Sequence, residues 1–227
     1  MKFLDLGLVD YLSAWCLQEE LRNQVKNGSE EITIFCEHFP VITHGRLASS
    51  DNLKASKRVL DNYFIRIIQT NRGGGYTYHG PGMLVIYPVV NIRKRGLDAF
   101  SWLRKLEEMV VQFLNLVNCN AKTIIGKTGV WVETFQNQCK KICSIGVHIS
   151  RGVSIHGMCI NIEKKIPYGL ELIQPCGLES NNYTFLSELG IKLRLQDCVS
   201  KLKKIIEQEL SLNENFVDLR ERKNSCI

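Results

Sequence analysis

The sequence predicts an α+β fold in which a mixed β-sheet packs against helices. Three segments place apolar residues at three- and four-residue steps, which is the spacing of an amphipathic helix. Short alternating or continuously apolar runs lie between these segments, and such runs are typical of strands. Three of the runs follow one another with short links, so we expect part of the sheet to be antiparallel.

Two of the predicted helices have an acidic residue in position to cap them. The first follows Asp10, which can accept hydrogen bonds from the first turn, and Gly28 is suited to end it. Its apolar stripe consists of Tyr11, Ala14, Leu17, Leu21 and Val25. The second follows Asp98 and carries Leu103, Leu106, Val110, Phe113 and Val117. A last helix carries Val199, Leu202, Ile206 and Leu210.

The predicted strands differ in how their apolar residues are arranged. Residues 31–36 alternate, and residues 63–69 are rich in aromatic and β-branched side chains. Residues 84–90 are continuously apolar, which indicates a strand buried on both faces. The antiparallel group covers residues 129–133, 142–149 and 154–162.

The composition is that of a folded domain. The chain has 227 residues, of which 44% are hydrophobic and 23% charged, and this balance argues against disorder. No Gly-X-Y repeat is present, so a fibrous protein is excluded. We expect one domain over residues 1–227, with a polar tail from about residue 213. The longest apolar runs are shorter than the roughly 20 residues that cross a bilayer, so no membrane association is expected.

The nine cysteines are the unusual feature of the composition. Their number is odd, and a chain of this length does not need disulfides to be stable. The first residues show neither a secretion signal nor a transit pattern, so we expect a cytoplasmic protein with free thiols. Most of these cysteines should then behave as small buried hydrophobic residues.

The densest functional signal is a glycine-rich segment that runs from Arg72 to Gly82. Five of its eleven residues are glycine, which lets a ligand approach the backbone closely, and we expect a loop. Arg72 and His79 supply polar groups. The segment is neither a Walker A loop nor a dinucleotide fingerprint, because it lacks Gly-Lys-Ser/Thr and a strand follows it. A plain glycine-rich turn is the alternative.

Three further segments place reactive side chains at defined positions. Lys141 begins an alternating strand; the alternative, a solvated surface charge, fits its neighbour Lys140 better. His156 lies in a predicted strand, where a buried histidine with satisfied hydrogen bonds is the alternative. Cys176 lies between a proline and a glycine. A thiol in such a turn is open to a ligand, although most lone cysteines in turns are inert.

Together these segments resemble the lipoate-biosynthesis octanoyltransferases, from about Leu6 to Leu189. The matching strings are Arg-Gly-Gly-x-x-Thr-Tyr-His-Gly-Pro-Gly at 72–82, Gly-Val-Trp-Val at 129–132, Lys-Ile-x-Ser-Ile-Gly-Val at 141–147, His-Gly-x-x-x-Asn at 156–161 and Pro-Cys-Gly at 175–177. Each string is modest, but five in this order are specific. The resemblance implies the fold of the biotin/lipoate protein ligases.

The resemblance also implies a reaction. The family takes an octanoyl group from acyl carrier protein and delivers it to a lysine of a lipoyl domain, the first step of protein lipoylation, without ATP or a cofactor. Acceptors would be the lipoyl domains of 2-oxoacid dehydrogenase complexes and the glycine cleavage H protein. Cys176 matches the nucleophile that forms the acyl-thioester, and Lys141 matches the lysine beside it. A neighbouring ammonium favours the thiolate, so the pairing is chemically sound.

By the same resemblance, three segments bind the substrate. They contribute Arg72, Gly73, Gly74, Gly75, Tyr76, Thr77, Tyr78, His79, Ser144, Ile145, Gly146, His156, Gly157 and Met158. The chain departs from the family at Met83, where glutamine is usual, at Gly75, where a larger side chain is common, and at His44, where leucine is usual. These departures bear on channel shape and acyl-chain length, because the cysteine and the lysine are retained.

Other functions fit these residues less well. An ATP-dependent lipoate or biotin ligase would share the fold but needs no cysteine nucleophile, and a transferase between two lipoyl domains would use the same residues. A nucleic-acid binder is suggested by the isoelectric point of about 8.8, but aromatic residues are not interleaved with the basic ones. A zinc site at Cys139 and Cys143 lacks a second ligand pair, so no metal is expected. The net charge of +6 predicts instead a basic face that docks acidic domains.

Overall fold

The computed structural model describes residues 1–134, 138–166, 169–174 and 182–211. Within these ranges the helices are α1 (Tyr11–Lys26), α2 (Lys57–Asn62), α3 (Ala99–Leu116) and α4 (Leu195–Leu210). The strands are β1 (Lys2–Val9), β2 (Ile32–His38), β3 (Val41–His44), β4 (Arg66–Gln69), β5 (Tyr76–His79), β6 (Met83–Asn91), β7 (Ala121–Ile124), β8 (Lys127–Glu133), β9 (Cys139–Ser150) and β10 (Val153–Asn161).

The larger sheet has seven strands in the order β1-β2-β6-β10-β9-β8-β7. Strands β1 and β2 are parallel, and every other neighbouring pair is antiparallel. The predicted antiparallel group β8-β9-β10 is confirmed, and the sheet is mixed as expected. In the β9–β10 ladder Ser144 lies opposite Cys159 and Gly146 opposite Gly157, so two predicted binding segments are adjacent.

The smaller sheet has three strands in the order β4-β3-β5. Strand β3 runs parallel to β4 and antiparallel to β5, with Val41 opposite His79 and His44 opposite Tyr76. The expectation of a loop over residues 72–82 was therefore wrong in its centre, where β5 lies. The reason is tertiary, because the partner strand β3 lies more than thirty residues earlier in the chain.

The structure confirms that Asp10 caps α1 and that Asp98 caps α3. The Asp10 side chain accepts hydrogen bonds from the amides of Leu12 and Ser13, at 2.9 and 3.3 Å. The Asp98 side chain accepts one from the amide of Ser101 at 2.7 Å. The strand predicted over 63–69 begins only at Arg66, because α2 and its cap occupy the residues before it.

The core lies on both faces of the larger sheet. Helices α3 and α4 cover one face through side chains such as Trp102 and Leu202, which are fully buried. Helix α1 and the smaller sheet cover the other face. Strand β6 contributes Ile86 to the first cluster and Val85 to the second, which confirms burial on both faces. Each such side chain stabilises the fold by about 1.5–3 kcal/mol.

The cysteines of the described ranges are free thiols. Cys16 is exposed and Cys139 is half-buried. The buried ones are Cys36, Cys119, Cys143, Cys159 and Cys198. Burial raises the pKa of Cys143 well above its ordinary value, so this thiol is neutral and packs as a hydrophobic group. None of the helices in the described ranges combines the length and the apolarity that crossing a membrane requires.

Candidate active site

A cavity of about 620 Å³ lies between β9 and the loops that precede β5. Its wall includes the predicted residues Arg72, Gly73, Gly74, Tyr76, Thr77, Lys141, Ser144, Ile145 and Gly146. This volume is within the range of small-molecule sites. Segments far apart in the chain therefore meet at one cavity.

One wall of the cavity is formed by two loops that hydrogen-bond to each other. The amides of residues 45–47 donate to carbonyls of residues 72–75 at 3.0 to 3.1 Å. A Cβ added at Gly45 would overlap the carbonyl oxygen of Gly74 and lie 2.8 Å from that of Arg72. The loop pair therefore depends on glycine at position 45.

Arg72 fastens this wall from inside. Its side chain is buried, and the guanidinium donates to the carbonyl oxygen and hydroxyl of Thr43 at 2.9 and 2.8 Å, and to the carbonyl of Gly73 at 2.9 Å. The Gly73 amide donates to the carbonyl of Val147 on β9 at 3.0 Å. Arg72 thus positions the loop in addition to lining the cavity.

Lys141 lies inside the site and is not a solvated surface charge. The residue is 5% exposed, lines the cavity and has its Nζ 5.2 Å from the centre of the Trp131 ring. Its neighbour Lys140 is half-buried. An ammonium over an indole face is stabilised electrostatically, which holds the Lys141 side chain in place.

Beneath Lys141 lies Gly129 of β8, whose backbone has φ +114°. A Cβ at this position would lie 2.6 Å from Lys141 Cε and 2.5 Å from the carbonyl oxygen of Cys143. The Gly129 amide donates to Glu107 Oε1 at 2.8 Å. Glu107 was not predicted as a site residue, because its contact with Gly129 is tertiary.

A second, smaller cavity of about 30 Å³ adjoins the first. Both cavities share Arg72, Thr77 and the Ser144–Gly146 segment as lining. The smaller one continues to the predicted residues His79, His156, Gly157 and Met158. Its volume is enough for about one water molecule. The predicted segments thus line two connected spaces.

His156 is both a lining residue and a satisfied buried histidine. Its Nε2 lies 2.7 Å from Asn71 Oδ1, and its amide donates to Gln18 Oε1 at 2.8 Å. Burial lowers the pKa of His156 to about 3. Burial also lowers the pKa of His79 well below its ordinary value. Both imidazoles are therefore neutral near pH 7 and shape the site as uncharged groups.

Two predicted binding residues line neither cavity. Tyr78 packs in the core between the two sheets, and the Gly75 carbonyl accepts a hydrogen bond from the Gly45 amide at 3.0 Å. Met83, which departs from the family, is also buried in that core and lines neither cavity. Gly75 and Met83 are therefore not part of either described lining.

Cys176 and its neighbours Pro175 and Gly177 lie outside the described residues. The chain before them is fixed at Gln174, whose amide donates to the carbonyl of Asn52 at 2.7 Å. The chain after them returns to the site, where Tyr183 pairs with Lys141 and lines the larger cavity.

The cavity lining is basic. Its described lining contains the basic side chains of Arg46, Arg72, Lys127, Lys141 and His148. None of the described lining residues is acidic. Arg46, Lys127 and the neighbouring Leu47 are exposed. Sequence reasoning did not identify Arg46, Leu47 or Tyr183, because their place in the site depends on loop contacts that no local pattern indicates.

The sequence is similar to those of one protein family. The sequence model of the lipoyl protein ligase A/B catalytic domain matches residues 10–214. A probable octanoyltransferase from Pyrobaculum calidifontis is 35% identical over 218 residues, which cover 96% of this chain and 89% of that protein. An octanoyltransferase from a Geobacter species is 38% identical over 195 residues, covering 85% and 89%.

Comparison with solved structures concerns the fold. Lipoate-protein ligase A bound with ATP has a TM-score of 0.75 and 15% identity, with 92% of this chain and 85% of that chain covered. A biotin protein ligase from Aquifex aeolicus has a TM-score of 0.55 and 16% identity, with 92% and 69% covered. These likenesses confirm the expected ligase-type fold.

Proposed function

The chain belongs to the lipoyl protein ligase A/B catalytic-domain family, in which its relatives are octanoyltransferases, and on that premise we propose how it carries out transfer. It is an acyltransferase of protein lipoylation. The donor we propose is octanoyl-acyl carrier protein, and the acceptor is a lysine of a lipoyl domain. Between the two, the octanoyl group is held on Cys176 as a thioester. The observation that carries this proposal is the buried Lys141 ammonium in the cavity wall.

The first step is thioester exchange. The Cys176 thiolate attacks the octanoyl carbonyl, a new carbon–sulfur bond forms, and the bond to the carrier sulfur breaks. The carrier leaves as a thiol after taking up one proton. One thioester replaces another, so the step is close to neutral in free energy and needs no ATP.

The second step makes an amide. The lysine amine of the lipoyl domain attacks the enzyme-bound carbonyl, the carbon–sulfur bond to Cys176 breaks, and the amine loses one proton. Lys141 is suited to move that proton, since a positioned amine can act as a general acid or base. The amide is more stable than the thioester, so this step is downhill.

The pairing of Lys141 with Cys176 is supported by the chain on either side of the cysteine. The segment that contains Cys176 connects Gln174, bonded to Asn52, with Tyr183, paired with Lys141. An ammonium lowers the pKa of a nearby thiol, and its effect is larger in a buried site than in water. We therefore propose that Lys141 favours the thiolate.

The acyl chain is proposed to lie along the cavity between β9 and the glycine-rich loop. Apolar groups there include Leu103, Trp131 and Ile145, and removing each methylene from water is worth about 0.8 kcal/mol. The smaller cavity toward His156 and Met158 continues the same space inward. The backbone of Gly73, Gly74 and Gly146 allows close approach on the opposite side.

Intact mass spectrometry tests the proposal. After incubation with octanoyl-acyl carrier protein and no ATP, the protein should gain the mass of one octanoyl group, and lipoyl domain should remove it. Cys176→Ser should gain none, whereas Cys16→Ser, which changes an exposed cysteine, should behave as the wild type. Full transfer by Cys176→Ser would overturn the mechanism, and a requirement for ATP would indicate a ligase.

A further inference from the structure

Glu107 is a fully buried carboxylate. It is the sole acidic side chain among the buried polar groups of the described residues, and it lies on α3 among apolar neighbours. A buried charge is costly unless polar partners compensate it. Glu107 therefore needs polar partners to be stable at this position of α3.

Two of its partners are direct. Glu107 Oε1 accepts the Gly129 amide at 2.8 Å, and Oε2 lies 2.6 Å from the Arg104 guanidinium. The Arg104 side chain is 29% exposed, so solvent screens part of its charge. The Gly129 bond ties α3 to the start of β8.

A third partner lies on the other side of Gly129. The Cα position of Gly129 packs against the Lys141 side chain, since a Cβ there would be 2.6 Å from Cε and 3.3 Å from Nζ. Glu107 and Lys141 interact through space across one glycine. Burial raises the pKa of Glu107, and the Gly129 amide and the charges of Arg104 and Lys141 oppose this rise by favouring the carboxylate. Glu107 and Lys141 are both buried, so the attraction is weakly screened.

A nearby negative charge favours the protonated form of Lys141. The ammonium of Lys127 lies 5.5 Å from the centre of the Trp131 ring, the same ring that Lys141 approaches to 5.2 Å. The two ammonium groups repel each other, and solvent screens part of this repulsion because Lys127 is exposed. Among the residues that the structure describes, the titratable or charged groups around Lys141 include Glu107 of α3 with its partner Arg104, Lys127 of β8, Cys143 of β9 and Tyr183. Glu107 alone among them is an acid.

We propose that Glu107 is a positioning residue for transfer: it holds Gly129 against the Lys141 side chain and supplies the negative charge that keeps Lys141 protonated. The proposal rests on the proposed role of Lys141. A purely structural role would need only an acceptor for the Gly129 amide, which a neutral glutamine can supply. The carboxylate adds the charge.

The test measures Lys141 directly in the full chain. Protein labelled with ¹³C- and ¹⁵N-lysine is titrated by NMR, and the Lys141 Cε signal is assigned by its loss in Lys141→Arg. In Glu107→Gln the pKa of Lys141 should fall by about one unit, the usual effect of losing a nearby opposite charge. In Glu108→Gln, which removes an exposed carboxylate from the next position of α3, it should not change.

Transfer kinetics give the second measurement. Glu107→Gln should lower kcat about tenfold with KM little changed, and Glu107→Asp should restore part of both kcat and the Lys141 pKa because it keeps the charge. If Glu107→Gln does not fold, Glu107→Asp should still show a smaller fall in the Lys141 pKa. An unchanged Lys141 pKa in a folded Glu107 variant would overturn the proposal. The titration needs no substrate, so a failure of the Cys176 mechanism would show separately as absent acylation.

Discussion

Gly146 of β9 lies directly opposite Gly157 of β10, at the place where the two cavities share a wall. A Cβ at Gly157 would overlap the Ile86 carbonyl and lie 2.8 Å from Pro88 Cδ, and one at Gly146 would lie 3.1 Å from the Gly73 carbonyl oxygen. The absence of side chains at this pair lets Gly73 approach β9 and Ile86 approach β10 at the wall between the two cavities.

Gly146→Ala is expected to impair substrate binding more than folding. The added methyl presses on the loop at Gly73, so KM for the octanoyl donor should rise by about tenfold while the melting temperature changes little. Steady-state kinetics with donors of different chain length would measure this. Gly73→Ala is the control, because its Cβ has room, with the nearest atom at 3.7 Å. Equal KM values for the two variants would contradict the interpretation.

Gly129→Ala is expected to displace Lys141. The new methyl would lie 2.6 Å from Lys141 Cε, so octanoyl transfer should fall by about a hundredfold or more. The positive φ of +114° adds backbone strain of about 1–3 kcal/mol.

Gly190→Ala separates the effect of backbone strain from the effect of displacing Lys141. Gly190 also has a positive φ, of +80°, but nothing lies within 4 Å of its Cβ position. This variant should lose stability with little loss of transfer, measured by thermal unfolding and initial rates. A similar loss of transfer in both variants would argue that strain alone explains Gly129.

The buried His156 makes the fold sensitive to acid. Its pKa is lowered to about 3 from an ordinary value of 6.5, so the unfolded chain binds a proton that the folded protein rejects between these values. The free energy of unfolding should therefore fall as pH drops below 6.5, by up to about 1.4 kcal/mol per pH unit for this group.

His156→Asn tests this contribution, because asparagine tolerates the positive φ of 56° at that position. The variant should be less stable near neutral pH and should lose stability less steeply on acidification. Urea midpoints between about pH 7 and about pH 5 would show the change in slope. A slope equal to that of the wild type would mean that His156 is not the group responsible.

The exposed basic residues of the larger cavity predict that acidic carrier domains bind there by electrostatic attraction. Arg46 and Lys127 are exposed at this site, and the described lining contains no acidic residue. Arg46→Glu should weaken association with an acidic carrier domain by about tenfold and reduce its salt dependence. Arg58→Glu, an exposed change outside the lining, serves as the reference in a calorimetric titration at low and physiological salt. Association that is insensitive to ionic strength would contradict electrostatic docking.

Local patterns predicted the elements that carry strong periodicity. The stripes and caps of α1 and α3 were visible because Asp10 and Asp98 stand directly before them, and the apolar run in β6 indicated burial on both faces. Strands β3 and β5 were missed, since they are short and hold together through pairing that is distant in sequence.

The site was predicted unevenly for the same physical reason. Lys141 and the segment at Ser144 carry strings of residues that mark them, and both line the cavity. Glu107 was hidden in a helix stripe because its charge has meaning only beside Gly129 and Lys141. Tyr183 reaches the site because its backbone pairs with that of Lys141, and no feature of its side chain predicts this pairing.

The hydrogen bond from the His156 amide to Gln18 has a mechanical consequence. The β6–β10 register pairs Ser154 with Val90 and Met158 with Ile86, and His156 lies in the interval between these pairs. Pro88 lies in the same interval of β6, and proline has no amide hydrogen to offer this ladder. A side chain of α1 thus takes the place of a neighbouring strand at one rung of the sheet. A displacement of α1 would therefore act directly on His156, which lines the smaller cavity.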